Sequence, residues 1–83
     1  MNIFVAKLDY EVRESELQSL FEDHGEVSSC KIIIDKFTNR SKGFGFVEMP
    51  NDGEALAAIS SLDGYSLKGR EMVVKKARPK DWV

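Results

Sequence analysis

Residues 42–49 read KGFGFVEM, and this octamer decides how the predicted sheet is oriented. Side chains alternate along a β-strand, so two glycines, a valine and a methionine share one face, while two phenylalanines share the other with Lys42 and Glu48. Burying these two charges without partners would cost several kcal/mol each, more than the roughly 1.5–3 kcal/mol gained by burying a phenylalanine. We therefore predict that Phe44 and Phe46 point to an open face of the sheet. The glycines are then expected to let helices pack closely on the core face.

The first predicted strand adds a third aromatic ring to this open face. In NIFVAKL, residues 2–8, Ile3 and Val5 are expected to point to the core, which turns Phe4 outward. Three rings on an open face form an apolar patch that monomers seldom expose without a function. Where lysine and arginine surround such rings, unpaired bases can stack on the rings while the cations contact phosphates.

Hydrophobic periodicity predicts four strands and two helices. The strands lie at 2–8, 29–35, 42–49 and 71–77, and the helices lie within 14–25 and 51–62. Gly25 is expected to end the first helix in the left-handed conformation, and Asp63-Gly64 and Lys68-Gly69 indicate turns before the last strand. The order β-α-β-β-α-β predicts an α+β fold, a ferredoxin-like sandwich in which a four-stranded antiparallel sheet carries both helices on one face.

Charge is distributed unevenly along the 83 residues, although the formal net charge is only −2. Residues 9–26 contain seven acidic residues and one base, whereas residues 64–83 contain six bases and two acids. This pattern predicts an acidic first helix and a basic last strand and tail. No apolar run approaches the roughly 20 residues that span a bilayer, and we interpret Met1 as the start of a cytoplasmic protein.

Cys30 is the only cysteine, so the chain cannot form an intramolecular disulfide. Together with Ile32 and Ile34 it is expected to point inward from the second strand, as a small buried hydrophobe. His24 is the only histidine, and no Cys/His spacing suits a metal. We therefore expect no metal site, no cofactor and no nucleophilic catalysis.

The octamer resembles that of the RNA-recognition motif family, which reads basic-Gly-aromatic-Gly/Ala-Phe-Val-x-aromatic. IFVAKL at residues 3–8 resembles the family's hexamer, and the likeness extends over residues 2–78. It implies a motif domain at 1–78 and a short tail at 79–83. It departs from the family pattern at Lys7, where the hexamer usually has Asn, at Met49 in place of the final aromatic, and at Arg13, where the first helix commonly opens with Ser or Thr.

The resemblance also implies a role for each matching residue. Phe4 and Phe46 would each stack a base, Phe44 would insert between the two riboses, and Lys42 would meet the phosphate between them. Further basic residues would contact phosphates or flanking nucleotides; they are Lys7, Lys31, Arg40, Lys75 and Arg78.

The whole chain resembles small stand-alone, single-domain bacterial RNA-binding proteins. This implies a monomer that binds single-stranded RNA, with a role in post-transcriptional regulation or RNA chaperoning. Single-stranded DNA stays open as a partner, because an aromatic ring stacks on any base.

Two other classes of function occur on the same fold. The first is a protein-interaction module on the same fold, either peptide-binding or self-associating. Such relatives have an acidic first helix and an Arg-x-Phe loop before the last strand, but here that loop reads Tyr65-Ser66-Leu67 and the octamer aromatics are intact. The second is an enzyme on a ferredoxin-like sandwich. The sequence has no CxxC pair, no nucleophile–base pair and no phosphate-cradling loop, so we predict that the protein is not an enzyme.

Overall fold

The structure, a computed structural model, describes residues 1–77. Arg78, one of the predicted contact residues, and the predicted tail at 79–83 lie outside the described residues. Within residues 1–77, neither helix is long and apolar enough to cross a membrane.

The predicted α+β fold is confirmed. The elements are β1 (Asn2–Ala6), α1 (Glu14–Glu22), β2 (Ser29–Ile34), β3 (Ser41–Glu48), α2 (Asp52–Leu62), β4 (Ser66–Leu67), β5 (Arg70–Glu71) and β6 (Val73–Lys76). The main sheet is antiparallel and has the strand order β2-β3-β1-β6, so β3 and β1 are its central strands. This order brings the octamer beside the first strand, which is the neighbourhood that the predicted aromatic face requires.

One hydrophobic core lies between the sheet and the two helices. Its members are nearly inaccessible to solvent and include Ile3, Val5, Val47 and Met49 from the sheet, Leu17 and Phe21 from α1, and Ala55, Ala58 and Leu62 from α2. Val47 and Met49 are fully buried, while Lys42 and Glu48 are exposed. The charges at the ends of the octamer therefore indicated its two faces correctly.

The glycines of the octamer face the core side but do not receive the helices, so that expectation is wrong. A Cβ atom on Gly45 would collide with the carbonyl oxygen of Lys31 and lie 3.1 Å from the Cα of Ile32, both on β2. A Cβ on Gly43 would lie 3.3 Å from the carbonyl oxygen of Leu8, and its φ of +83° is unfavourable for other residues. At both positions the missing side chain leaves room for the backbone of a neighbouring strand or loop to approach closely.

The pairing of the edge strand β2 is irregular at one point. Its pairing with β3 shifts between Ile32 and Ile34, as at a β-bulge. Ile34 lies on the helix side with Ile32, since both line the cleft beside the start of α1, but it is 46% exposed and is not the buried core residue that was predicted. Ile32 is buried, and Cys30 packs partly against the core. The Glu14 carboxylate of α1 accepts a hydrogen bond from the Ile32 N–H at 2.9 Å, and so occupies one of the donors of this edge.

Both helices begin with side-chain contacts and acidic first turns. In α1 the N–H of Arg13 donates to the Glu16 carboxylate at 3.2 Å, and in α2 the Asn51 side chain accepts the Glu54 N–H at 2.9 Å. The first turns also contain Glu14 and Asp52, which suit the positive end of a helix dipole. These acids put negative charge on the helix layer.

The end of α1 differs from the prediction. The helix stops at Glu22, with Asp23 as its C-cap at φ −65°. Gly25 has a φ of 159°, well away from the left-handed helical value of about +57°. Gly25 is therefore not the predicted left-handed cap.

A small hairpin precedes the last strand of the main sheet. Strands β4 and β5 pair around Lys68 and Gly69, whose φ angles of 53° and 85° are those of a type I′ turn. The turn at Lys68-Gly69 is confirmed, but the strand predicted at 71–77 is divided at Met72 between this hairpin and β6.

Candidate nucleic-acid interface

A row of four side chains crosses the open face about halfway along the strands. Strand pairing places Lys31 opposite Phe46, Phe46 opposite Phe4, and Phe4 opposite Lys75. We call this set, in the order Lys31, Phe46, Phe4, Lys75, the middle row. Two aromatic rings therefore lie side by side between two ammonium groups. No residue of the row belongs to the core between the sheet and the helices.

The three predicted rings form one cluster, which we call the aromatic platform (Phe4, Phe44 and Phe46). The centroid of the Phe4 ring lies 5.5 Å from that of Phe46 and 6.0 Å from that of Phe44, with interplanar angles of 51° and 43°. These distances and tilts are favourable for aromatic pairs.

The rings differ in their accessibility. Phe4 and Phe44 are partly exposed, but Phe46 retains only 8% exposure. The sequence predicted three exposed rings, and for Phe46 that expectation is wrong. Its ring lies on the open face but is largely covered. Alternation along a strand predicts the direction of a side chain, but not how far its neighbours cover it.

The upper end of the open face, toward the β2–β3 loop, is basic. Lys42 is exposed at the start of β3, and Arg40 is exposed just before it. Lys7 is exposed directly after β1 with a φ of 56°. A cleft of about 550 Å³ adjoins Phe44 here and is lined in part by Arg40 and Lys42.

Among residues 1–77, those at the lower end of the open face are polar and not basic. Ser29 and Asn2 each pair with Glu48, so the three residues continue across β2, β3 and β1; we call them the lower row. The Ser28 hydroxyl donates to Oε1 of Glu48 at 2.9 Å. Oδ1 of Asn2 is buried and has no hydrogen-bond partner in the part of the chain that the structure describes.

The structure thus brings most of the predicted contact residues together. Phe4, Phe44, Phe46, Lys31, Lys42 and Lys75 share the open face, and Lys7 and Arg40 lie at its upper end. Only Arg78 lies outside the described residues. The role of each residue remains a prediction.

Two exposed aromatic residues near the basic end were missed. Tyr10 is 62% exposed, lines the cleft beside Phe44, and has the guanidinium of Arg70 5.7 Å from its ring centroid. Phe37, in the loop between β2 and β3, is fully exposed. An aromatic within the polar, basic connector KFTNRS was a usable signal for Phe37. Tyr10 could not be recognised in the same way, because Arg70 contacts it from a segment that is far away in the sequence.

Cys30 has the environment of an inert thiol. Its Sγ lies 3.6 Å from the backbone carbonyl oxygen of Glu14, to which the thiol donates. Burial, followed by the negative charges of Glu14 and Glu22, raises the pKa of Cys30 to about 11. Little thiolate therefore forms near neutral pH. Within residues 1–77, no group of three or more His, Cys, Asp or Glu side chains is arranged to hold a metal ion.

Comparison with known proteins identifies relatives of this chain. Residues 3–73 match the family model described as RNA recognition motif. RbpB, a candidate RNA-binding protein of Nostoc sp. (strain PCC 7120 / SAG 25.82 / UTEX 2576), is 43% identical over 81 residues, which cover 98% of this chain and 79% of RbpB.

Solved structures agree with these matches. The crystal structure of RNA-binding protein PG1 has a TM-score of 0.90 and 46% identity, covering 95% of this chain and 98% of that one. A structure described as an Sxl-lethal protein/RNA complex has a TM-score of 0.89 and 31% identity, covering 94% of this chain and 47% of that one. By sequence and by structure, this chain belongs to the RNA recognition motif family.

Proposed function

We propose that this protein binds single-stranded RNA on the open face of its sheet, with bases stacked on the aromatic platform. The observation that carries the proposal is the middle row, in which two adjacent rings are flanked by Lys31 and Lys75. Unpaired bases stack on aromatic rings, and neighbouring ammonium groups attract phosphates. The relatives support the same function, since one matching structure is that of a protein/RNA complex.

In the proposed arrangement Phe4 and Phe46 each stack one base. Phe44, 6.0 Å from Phe4 on the upper side, inserts between the two riboses. Lys42 is exposed at that upper end and meets the phosphate between the nucleotides. Lys7 and Arg40 continue the basic surface for flanking phosphates.

The limited accessibility of Phe46 suggests the order in which the rings contact the RNA. Phe4 and Phe44 are partly exposed and make the first contacts, whereas Phe46 must be uncovered before a base can stack on it. Its cross-strand neighbour Lys31 has a long, flexible side chain, and exposed side chains change rotamer within nanoseconds. We propose that the second base stacks on Phe46 after such a local rearrangement.

The test is a titration of labelled single-stranded RNA with a double variant, Phe4→Ala with Phe44→Ala. The stacked base lost with Phe4 contributes about 1–3 kcal/mol and the ribose contacts of Phe44 are lost as well, so the double variant is expected to bind at least about fivefold more weakly than a wild type of about micromolar Kd. Phe46 is left intact, because its burial means that its removal would also disturb packing.

Tyr65→Ala is the matched control, since Tyr65 is a partly exposed aromatic outside the aromatic platform. It should leave the affinity within about twofold, and circular dichroism should show all variants folded. Unchanged binding by a folded double variant would contradict the proposed site. The same titration with DNA of equal sequence tests the preference for RNA.

We further propose that the protein acts as a cytoplasmic monomer in post-transcriptional regulation or RNA chaperoning, without catalysing a reaction. Sedimentation of the pure protein tests the monomer. Ultraviolet crosslinking in cells, followed by sequencing of the bound RNA, tests the cellular role, and recovery of no RNA above background would contradict it.

The alternative of a protein-interaction module has one feature in its favour, the acidic first turn of α1 with Glu14 and Glu16. Against it, residues 65–67 lead into the β4–β5 hairpin without the Arg-x-Phe sequence of such modules, and the aromatic platform is complete. A pull-down repeated after nuclease treatment separates the two functions, because partners bound through protein contacts would persist.

A further inference from the structure

The lower row makes the two ends of the open face differ in charge. The upper end carries Lys42 and the middle row carries Lys31 and Lys75, but the lower row carries Glu48 and Asn2. A carboxylate repels phosphate and can only accept hydrogen bonds. The sugar–phosphate backbone is therefore disfavoured at this end, and a group with hydrogen-bond donors is favoured.

The proposed binding mode points such a group toward the lower row. If riboses surround Phe44 and a phosphate meets Lys42, the backbone runs along the upper side of the rings. Bases stacked on Phe4 and Phe46 then extend away from that backbone, which directs their outer edges toward Asn2 and Glu48. Single-stranded RNA is commonly read through these Watson–Crick edges.

The side chains of the lower row are suited to hydrogen bonding with a base. Ser28 holds Oε1 of Glu48 at 2.9 Å, which fixes the carboxylate in place. Glu48, Ser29, Lys31 and Phe46 line a cleft of about 240 Å³ on this face. Oδ1 of Asn2 is a second acceptor; it is buried, and the described part of the chain offers it no donor. A buried acceptor without a partner is costly, and a rotation of the Asn2 side chain that brings Oδ1 to a donor on the base would remove that cost.

We propose that Glu48 and Asn2 make the site select bases that present donors on their outer edge, with guanine favoured over uracil. Guanine has adjacent N1–H and N2–H₂ donors that match a carboxylate, whereas uracil has one N3–H between two carbonyl oxygens. Those carbonyls would face the carboxylate and be repelled. The selectivity rests on the proposed RNA-binding function and assigns the lower row a role in choosing the base.

The test measures the affinity of the whole protein for three labelled RNAs, UUUUUUUU, UUUGUUUU and UUUIUUUU, where I is inosine. Inosine keeps the N1–H and the carbonyl of guanine but lacks the 2-amino group. The wild type is expected to bind the guanine RNA about tenfold more tightly than the uracil RNA, a ratio that corresponds to about 1.4 kcal/mol. The inosine RNA should fall between them.

Glu48→Gln is the deciding variant, since it keeps the size of the side chain but replaces one acceptor with a donor. It should reduce the guanine-to-uracil ratio to about twofold or less while binding of the uracil RNA is retained. Glu22→Gln removes the same charge from the exposed end of α1 on the opposite side of the sheet and should keep the wild-type ratio.

The outcomes separate this inference from the proposed function. If wild type and Glu48→Gln bind all three RNAs with the same ratios, the lower row does not select the base, although RNA binding stands. If the folded wild type binds none of the RNAs, the proposed function fails and the inference fails with it.

Discussion

At Gly45 the chain has no room for even a methyl group, because the β2 backbone lies where a side chain would begin. The pairing of Ile32 with Gly45 sits directly beside the shift in the β2–β3 register. The family pattern admits alanine at this position, so the pattern alone does not predict the constraint. It follows from the contact between two strands of this particular sheet.

Gly45→Ala is therefore expected to destabilise the fold by about 1–3 kcal/mol, the usual cost of overpacking a well-packed interior. Denaturant unfolding followed by circular dichroism measures it. Gly53→Ala, in the first turn of α2, is the control, because a Cβ there would approach only the Asn51 side chain and alanine favours helices. A Gly45→Ala variant as stable as wild type would show that β2 moves aside without cost.

Lys7 departs from the family hexamer and also occupies an unusual backbone conformation. Its φ of 56° lies in the left-handed region, which Asn adopts more readily than lysine because its short side chain hydrogen-bonds locally. The usual Asn of the hexamer would thus fit this backbone better. The presence of lysine here, although asparagine would be less strained, agrees with the proposed phosphate contact of Lys7.

Lys7→Asn is expected to raise the free energy of unfolding by about 0.5–1 kcal/mol, since it relieves part of the left-handed strain. The same variant should weaken RNA binding by about two- to threefold through the loss of one cation. Thermal unfolding and RNA titration of one sample measure both effects. Lys36→Asn, which removes an equal charge from the exposed β2–β3 loop, should give no gain in stability.

Among the elements, α1 shows how a helix can begin without the usual Ser or Thr. The Glu16 carboxylate accepts the Arg13 N–H and also lies 3.3 Å from the ammonium of Lys68 in the β4–β5 turn. The hydrogen bond from the Arg13 backbone, followed by the contact with Lys68, lowers the pKa of Glu16. The Glu16 side chain thus caps the start of α1 and links it to the β4–β5 hairpin.

The lowered pKa predicts a dependence of stability on pH. A carboxyl group whose pKa is lower in the folded state stabilises that state above its unfolded value of 4.5, and this contribution disappears as pH falls through the folded pKa. Melting temperatures measured from pH 7 down to pH 3 should therefore fall less steeply for Glu16→Gln than for wild type. Glu22→Gln, on the same helix, is the control for net charge, and equal slopes for Glu16→Gln and wild type would rule out the contribution of Glu16.

At this same scale, some features could be predicted from the sequence and others could not. Lys42 and Glu48 allowed the faces of β3 to be assigned, because the cost of burying charge acts within one strand. The β4–β5 hairpin was seen only as two turns, since strands of two residues have too few side chains to show alternation. The exposure of Ile34 was not foreseen, because alternation assigned its face correctly but does not show that the end of an edge strand extends beyond the cover of α1.

For the candidate site, the sequence predicted the grouping of residues better than their accessibility. Phe4, Phe44 and Phe46 were grouped correctly because alternation and strand order determine which residues share a face. The 8% exposure of Phe46 was not foreseen, since coverage of a ring depends on the rotamers of all its neighbours. The lower row was also missed, because Asn2 and Glu48 become neighbours only through the register of β1 and β3.

At the scale of the whole molecule, the charge distribution predicts weakly salt-dependent RNA binding. Within residues 1–77, the open face and its upper end offer five of the proposed contact cations on a chain of net charge −2: Lys7, Lys31, Arg40, Lys42 and Lys75. Three to five phosphate contacts on a single strand give a slope of log K against log salt of about −2 to −3.5. Titrations at several salt concentrations measure the slope, and a value of about −4 or steeper, which needs six or more contacts, would contradict the prediction.

The acidic helix layer has a practical consequence for handling the protein. Glu14, Glu16, Asp52 and Glu54 begin the two helices, while the lysines of the middle row lie on the other side of the sheet. The molecule therefore has an electric dipole that runs through the sheet. On a positively charged chromatography matrix it should adsorb by its helices, with every copy presenting the same aromatic surface to the passing solution.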